Sequence, residues 1–310
     1  MQKFIKLFIV FLIFLLVASC TTTEVVPPVF NGERAFEYLE QQVSFGPRVP
    51  GSEASGLCRS YFVNFFEKNN LVIDSQKFIY PDPYSGKNVE MINIIGRINP
   101  EVDPDDHILL MAHYDSRPRS DNSPDTLVRN NPIDGANDGA SGAAILMELA
   151  NLFKDTKPPC GIDLVLVDGE DWGKAGDLEN YLLGSREFAR KGIRGKYRFG
   201  IVIDMVGEKD QQLYREGYSE KFHKPLNDLI WQTAAELGIN TFIDSVKYNV
   251  VDDHLPLQSA GVSVIDIIDL DYPQWHTEND TPNKCSPKSL ANVGRVLAKI
   301  IYNPSQWPKK

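Results

Sequence analysis

The sequence lacks the features that mark several common classes of protein. It contains no Gly-x-Ser-x-Gly elbow, no phosphate-binding loop and no His-Glu-x-x-His motif. None of its four cysteines belongs to a Cys-x-x-Cys pair, which argues against a cysteine-based zinc site. Basic residues are also few: 32 Lys and Arg against 42 Asp and Glu give a net charge of −10, which argues against a nucleic acid partner. No other chemistry competes well with one that uses histidines and carboxylates.

The N-terminal residues read as a secretory signal. Residues 1–19 combine Lys3 and Lys6 with an apolar core that is too short to predict a membrane span. The sequence Leu-x-Ala-Ser-Cys resembles a bacterial lipobox, so we expect lipidation of Cys20 and a polar, proline-bearing tether over residues 20–30. The alternative is an ordinary signal peptide with an incidental cysteine. With lipidation, the protein would be exported and anchored to a bacterial envelope membrane, facing the periplasm or the surface.

The remaining chain, residues 31–310, has the length and apolar content of one globular α/β domain, which we expect to be catalytic and monomeric. Three cysteines remain in it, at positions 58, 160 and 285. Export permits one disulfide among them, but three buried free thiols are equally compatible with the sequence.

Strand and helix patterns alternate through this region. Strands are predicted over 71–80, 88–98, 107–113, 162–167, 199–206 and 262–268. Helices are predicted over 34–43, from Ser52 or Ser55 to about 69, and over 143–154, 185–190, 221–237, 255–259 and 287–302. The alternation predicts a single-domain, three-layer αβα sandwich with a mixed, mostly parallel sheet, and the first two strands should add an antiparallel edge. Residues 117–134 form a polar loop, long enough to be a binding loop.

Glu170 and Asp171 lie side by side directly after the apolar strand 162–167. Two carboxylates at the end of a buried strand repel each other and resist desolvation, so a cation should compensate them. A metal ion is the natural candidate, with one carboxylate as a ligand and the other free to move protons.

Further ligand-type residues occur in the same position relative to the other strands. They lie just past, or near the end of, successive strands: His113, Asp204 and His276. Ligands of open α/β sheets bind beyond the carboxyl ends of the strands, so these side chains should converge. Asp138 lies in a glycine-rich turn before a helix, where it could hold an ion or only cap the helix. Taken alone, His113 could be a hydrogen-bonded core histidine; taken together, the residues suit zinc.

Several motifs are similar to those of a known group of enzymes. They are Gly-Pro-Arg-Val-Pro-Gly-Ser, Ala-His-Tyr-Asp-Ser, Gly-Ala-Asn-Asp-Gly-Ala-Ser-Gly, Asp-Gly-Glu-Asp and Trp-His-Thr. In this order and spacing they resemble the zinc aminopeptidase-like superfamily, peptidase family M28. Residues 182–189, residues 252–257 and the pair Trp275–His276 are more similar to glutaminyl cyclases.

The resemblance implies a role for each residue. The zinc ligands would be Asp138, Asp171 and His276. Glu170 would be the proton shuttle, beside an acidic network of Asp204 and Asp252. Trp275 would line the substrate pocket, and Trp172 and Tyr272 are further candidates for it.

The implied reaction is cyclisation of an N-terminal glutamine of a peptide or protein to pyroglutamate, with release of ammonia and one zinc per chain. The alternative is an aminopeptidase with two zincs, in which His113 and Asp204 hold the second ion and Glu170 activates water. A third hypothesis is a non-catalytic ligand-binding lipoprotein, but this hypothesis gives no role to Glu170.

Overall fold

The structure, a computed structural model, describes residues 27–309. The predicted signal segment and Cys20 therefore lie outside the described residues. Within 27–309, no helix combines the length and the apolar character needed to cross a bilayer.

Seven helices and eight strands are found in the described part of the chain. In order they are α1 (Gly32–Ser44), α2 (Glu53–Lys68), β1 (Val72–Pro81), β2 (Asn88–Ile98), β3 (His107–His113), α3 (Ala140–Asp155), β4 (Gly161–Val167), α4 (Leu183–Arg190), β5 (Phe199–Asp204), β6 (Leu213–Glu216), α5 (Gly217–Glu236), β7 (Phe242–Tyr248), α6 (His254–Ser259), β8 (Val264–Ile268) and α7 (Pro287–Ile301).

Side-chain caps explain where several helices begin. The Asn31 side chain accepts the N–H of Arg34 at 3.1 Å and starts α1. Of the two candidate caps for α2, Ser52 is the one used: its hydroxyl accepts the N–H of Ser55 at 3.1 Å. Polar side chains that satisfy the first free N–H groups thus set the helix boundaries.

The main sheet has six strands in the order β1-β2-β4-β3-β5-β8. Strands β4, β3, β5 and β8 are parallel, whereas β1 and β2 pair antiparallel at one edge. The predicted mixed sheet with an antiparallel edge is confirmed. Because four parallel neighbours end at the same side of the sheet, the residues that follow them meet there.

Both faces of the sheet are covered, which gives the predicted three layers. Alternate residues of β3 face opposite ways, as the pleat requires. Ile108, Leu110 and Ala112 pack with the helices α1, α3, α5 and α7. Leu109 and Met111 pack on the other face, near α4 and α6. Burial on both faces explains why β3 is apolar without alternation. Cys58, Cys160 and Cys285 are buried free thiols, so none of them forms a disulfide.

One region departs from the prediction. Strands β6 and β7 form a separate two-stranded parallel sheet that the pattern does not indicate. Helix α5 begins at Gly217, earlier than predicted, because the carboxylate of Glu216 accepts the N–H groups of Tyr218 (2.8 Å) and Ser219 (2.6 Å). The helix kinks at His223, two residues before Pro225, because proline cannot continue the hydrogen-bond ladder.

Candidate metal centre and active site

The turn after β4 presents two carboxylates at the end of the sheet. Gly169 adopts a φ of +75°, a left-handed conformation that favours glycine, and this allows a sharp turn. The carboxylate of Asp115, just after β3, accepts the backbone N–H groups of Glu170 (3.1 Å) and Asp171 (3.2 Å). The position of both residues is thus fixed against the neighbouring strand.

Asp138, Asp171 and His276 come together at this point. One potential ligand atom from each lies within 4.8 Å of the others, and all three residues are buried. The His276 Nε2 atom is 3.3 Å from Asp171 Oδ1 and 3.6 Å from Asp138 Oδ2. His276 has a φ of 57°, which is strained for a residue other than glycine and costs of order 1–3 kcal/mol. Strain of this kind at a buried side chain is typical of a functional position.

The chemistry of these donors suits a zinc ion. Asp138 Oδ2 and Asp171 Oδ2 are buried and have no hydrogen-bond partner among residues 27–309. Unpaired buried carboxylate oxygens are costly, and a divalent cation would satisfy them. Although burial opposes ionisation, His276 and Arg117 lower the pKa of Asp171 to about 2, so this group is a carboxylate ready to act as a ligand. Two carboxylates and one imidazole, with a position left open, are a ligand set that zinc enzymes use.

Hydrogen bonds to Asp280 stabilise the turn that carries Asp138. The Asp280 carboxylate accepts the N–H groups of Asn137 (2.8 Å) and Asp138 (3.1 Å), and it also accepts the hydroxyl of Tyr272 at 2.7 Å. Gly139, which follows, has a φ of +96°. Asp138 therefore lies in a turn built before α3 and is not the residue at the cap position of that helix.

A second possible ligand group shares Asp138. The Nε2 atom of His113 is 3.1 Å from both Asp138 Oδ1 and Asp204 Oδ1, and the three residues are buried. Burial alone would lower the pKa of His113, but the charge of Asp204 and contacts with nearby carboxylates raise it well above the ordinary value. These three side chains could hold a second metal ion, or His113 could pair directly with the two carboxylates.

Glu170 has the environment of a proton-transfer group. Burial raises the pKa of its carboxyl well above the ordinary value. The charges of Asp171, Asp252 and Asp253 act in the same direction, and His113 acts against them. A carboxyl group whose pKa is raised is better suited to accept a proton and return it than an exposed glutamate is.

Acidic side chains continue behind Glu170. Asp252, His254 and Asp266 form a further buried group whose potential ligand atoms lie within 4.8 Å of one another. Burial and the charge of Asp252 raise the pKa of Asp266, and burial likewise raises the pKa of Asp204 to about 7. Asp266 and Asp204 therefore hold their protons to a higher pH than exposed aspartates do.

The three predicted pocket residues occupy different surroundings. Trp275 is 37 % exposed, and its ring centroid lies 4.0 Å from that of His276, so its face is accessible beside the ligand set. Trp172 packs with Met91, and its indole N–H donates to Asp82 at 3.0 Å. Tyr272 is buried and donates to Asp280, behind Asp138.

Sequence reasoning missed residues that support the ligands from outside. They are Arg48, Arg117, Asp121 and Asp280. Arg48 is buried and donates to the carbonyl groups of Tyr114, Asp134 and Gly135, which gives the Gly-Pro-Arg motif a structural role. Arg117 pairs with the candidate ligand Asp171 and with Asp121, four residues along the chain. Because i,i+4 spacing predicts a contact only on a helix, this pair in a loop carries no signal in the sequence.

Comparison with known proteins agrees with this site. The family model of peptidase family M28 matches residues 93–301. The chain belongs to peptidase family M28. It is similar to the Bos taurus glutaminyl-peptide cyclotransferase, with 24% identity over 293 residues that cover 82% of this chain and 77% of the relative.

Two solved structures of bacterial proteins are more similar. Bacteroides thetaiotaomicron glutaminyl cyclase, bound to N-acetylhistamine, has 36% identity and a TM-score of 0.85, covering 90% of this chain and 99% of that chain. A Zn-dependent exopeptidase from Parabacteroides distasonis has 33% identity and a TM-score of 0.86, covering 90% of this chain and 100% of its own. The predicted membership of the M28 superfamily and the likeness to glutaminyl cyclases are confirmed.

Proposed function

We propose that this chain is a zinc-dependent glutaminyl-peptide cyclotransferase. It converts the N-terminal glutamine of peptides or proteins to pyroglutamate and releases ammonia. The observation that carries this proposal is the placement of Glu170: a half-buried carboxyl whose pKa is raised well above the ordinary value adjoins the group formed by Asp138, Asp171 and His276. Similarity to glutaminyl cyclases over nine-tenths of the chain supports it.

Asp138, Asp171 and His276 would hold the zinc. When bound, the ion would act as a Lewis acid on the γ-carboxamide oxygen of the substrate. In the reaction, the substrate α-amine attacks the γ-carbonyl carbon, a new C–N bond forms, and the bond to the amide nitrogen breaks. Glu170 accepts one proton from the amine and returns it to the departing nitrogen, which leaves as ammonia. Because the nucleophile belongs to the substrate, the site mainly has to fix geometry.

Trp275 would bind the substrate side chain. Its exposed ring beside His276 offers an apolar face at the mouth of the site. Asp252 would keep the pKa of Glu170 high through its charge, and Asp204 would belong to the acidic network beside it. Trp172 and Tyr272, both packed against other side chains, would contribute by shaping the walls of the site.

A second candidate function has one observation in its favour. His113, Asp138 and Asp204 form a possible second metal group, and an aminopeptidase with two zincs would use it. We expect one zinc per chain, as the similarity to glutaminyl cyclases implies, whereas an aminopeptidase would hold a second zinc at this group.

The test uses the purified protein with two substrates, Gln-naphthylamide and Leu-nitroanilide, together with zinc analysis. Ammonia and a pyroglutamyl product, without release of leucine and with one zinc per chain, are expected. Leucine release with two zincs per chain would assign the protein to the peptidase branch. A metal content near zero would favour the ligand-binding lipoprotein.

We further propose export and lipid anchoring through Cys20. The measurement is metabolic labelling with a fatty acid, followed by fractionation. The parent protein should carry label in the membrane fraction, and Cys20→Ser should lose both. An unlabelled parent protein would contradict the lipid anchor and leave the proposed reaction untouched.

A further inference from the structure

Two of the three ligands reach the metal centre from strands that are not neighbours. Asp171 follows β4 and His276 lies beyond β8, and β3 and β5 lie between these strands in the sheet. Neighbouring strands are about 4.8 Å apart, so the two strand ends are roughly 14 Å apart. The sheet alone therefore does not set the distance between these ligands, and a further element must do so.

The loop 117–134 contacts the Asp171 side through Arg117. This side chain is fully buried, and its guanidinium forms a two-pronged pair with Asp121, from Nε to Oδ1 and from Nη2 to Oδ2, both at 2.7 Å. Its Nη1 atom donates to the backbone carbonyl of Asp171 at 3.3 Å and to its Oδ1 atom. Nη2 also donates to the Tyr181 hydroxyl at 2.8 Å.

These contacts fix the orientation of the Asp171 carboxylate. Because Arg117 occupies Oδ1, the oxygen without a partner among the described residues is Oδ2. The planar guanidinium sets the direction of each hydrogen bond, which a lysine ammonium could not do.

The same loop also contacts His276. The backbone N–H of Asn122 donates to the His276 carbonyl at 3.1 Å, and its side-chain amide donates to the Trp275 carbonyl at 3.3 Å. Both bonds hold a backbone segment in which His276 has a left-handed conformation. Asp121 Oδ1 lies 4.0 Å from the Nδ1 atom of His276, on the side of the ring opposite its ligand nitrogen.

We propose that Arg117, Asp121 and Asn122 form a positioning clamp that sets Asp171 and His276 at the spacing a metal ion requires. Arg117 fixes one ligand, Asn122 fixes the backbone of the other, and Asp121 links the two halves through its pair with Arg117. A carboxylate that faces the second nitrogen of a ligand histidine also orients the ring. The clamp rests on the proposed metal site, and its members act through the ligands.

The test measures zinc affinity by competition with a chelator, separately from turnover. Arg117→Lys keeps the charge and loses the planar fork, and Asp121→Asn keeps the size and loses the charge. Each should weaken zinc binding about 10- to 100-fold, as changes to residues behind metal ligands do. The double variant should lose less zinc affinity than the product of the two single-variant decreases, because both changes disrupt the same Arg117–Asp121 pair. Arg129→Ala is the matched control: it lies in the same loop, donates within it to the Ser123 carbonyl, and should bind zinc like the parent protein.

Each outcome decides the proposal. If the parent protein binds no zinc, both the metal site and the clamp are wrong. Suppose that the parent protein binds zinc, and that the Arg117→Lys and Asp121→Asn variants fold and bind zinc with an affinity within twofold of the parent. In that case only the clamp is wrong. If Arg129→Ala weakens binding equally, the effect belongs to the loop in general and the clamp is also wrong. Should Arg117→Lys not fold, the partly exposed Asp121 provides the decisive variant.

Discussion

Replacing Glu170 with glutamine separates proton transfer from metal binding. The change keeps the size of the side chain but removes its ability to accept a proton. A general acid–base group contributes about 10²–10⁴-fold to a rate, so kcat should fall by that factor, equivalent to about 3–5 kcal/mol. Zinc content should be unchanged, because Glu170 does not belong to the group formed by Asp138, Asp171 and His276.

The same variant should not lose stability. The raised pKa of Glu170 means that the folded protein binds this proton more tightly than the unfolded chain. Its contribution therefore favours folding at low pH and is lost as the pH rises through the raised pKa. Glutamine stays neutral and avoids the burial of a charge, so at pH 8 the variant should be at least as stable as the parent protein.

The assay combines ammonia release, metal analysis and urea unfolding at pH 8. Glu208→Gln is the matched control, since burial also raises the pKa of Glu208, to about 7, yet it lies outside the ligand set. It should keep its activity. A zinc-loaded Glu170→Gln protein with more than a tenth of the parent rate would refute the proton-shuttle role, and loss of zinc would make Glu170 a ligand.

Three other changes test separate parts of the site. His276→Ala removes the nitrogen ligand and should weaken zinc binding by at least about 100-fold in chelator competition; unchanged affinity would remove His276 from the ligand set. Trp275→Ala removes the exposed ring beside His276 and should raise KM about tenfold with a smaller effect on kcat; an unaltered KM would contradict its contact with substrate. Glu208→Gln should leave stability nearly unchanged at pH 4, below the ordinary pKa of a glutamate, and raise it by at least ~1 kcal/mol at pH 8, since its charged form is disfavoured by burial and by nearby Asp269; equal effects at both pH values would contradict the raised pKa.

The sequence predicts most accurately the elements whose side chains are buried, because burial leaves a clear apolar pattern. Strand β3 was predicted at its observed bounds, because an apolar run between polar segments has few other interpretations. The meeting of Asp171 and His276 follows from the pattern because both residues come after strands whose carboxyl ends meet. Resemblance to a known family then assigned roles that position alone left open.

The elements that escaped prediction depend on contacts between distant segments. Strand β6 has four residues and β7 is mostly exposed, so neither carries a clear apolar pattern. The role of Asp280 arises only when it meets the turn that holds Asp138, more than 140 residues earlier in the chain. Likewise, Arg117 looks like a loop residue until folding brings Asp171 to it. No local pattern encodes such pairings.

The most direct test of the central claim is the product formed from a peptide with N-terminal glutamine by the zinc-loaded protein. Mass spectrometry should show a loss of 17 Da from the peptide, which is the mass of one ammonia, with an equal amount of ammonia in solution. Free glutamine together with a peptide shortened by one residue would contradict the account and identify a peptidase.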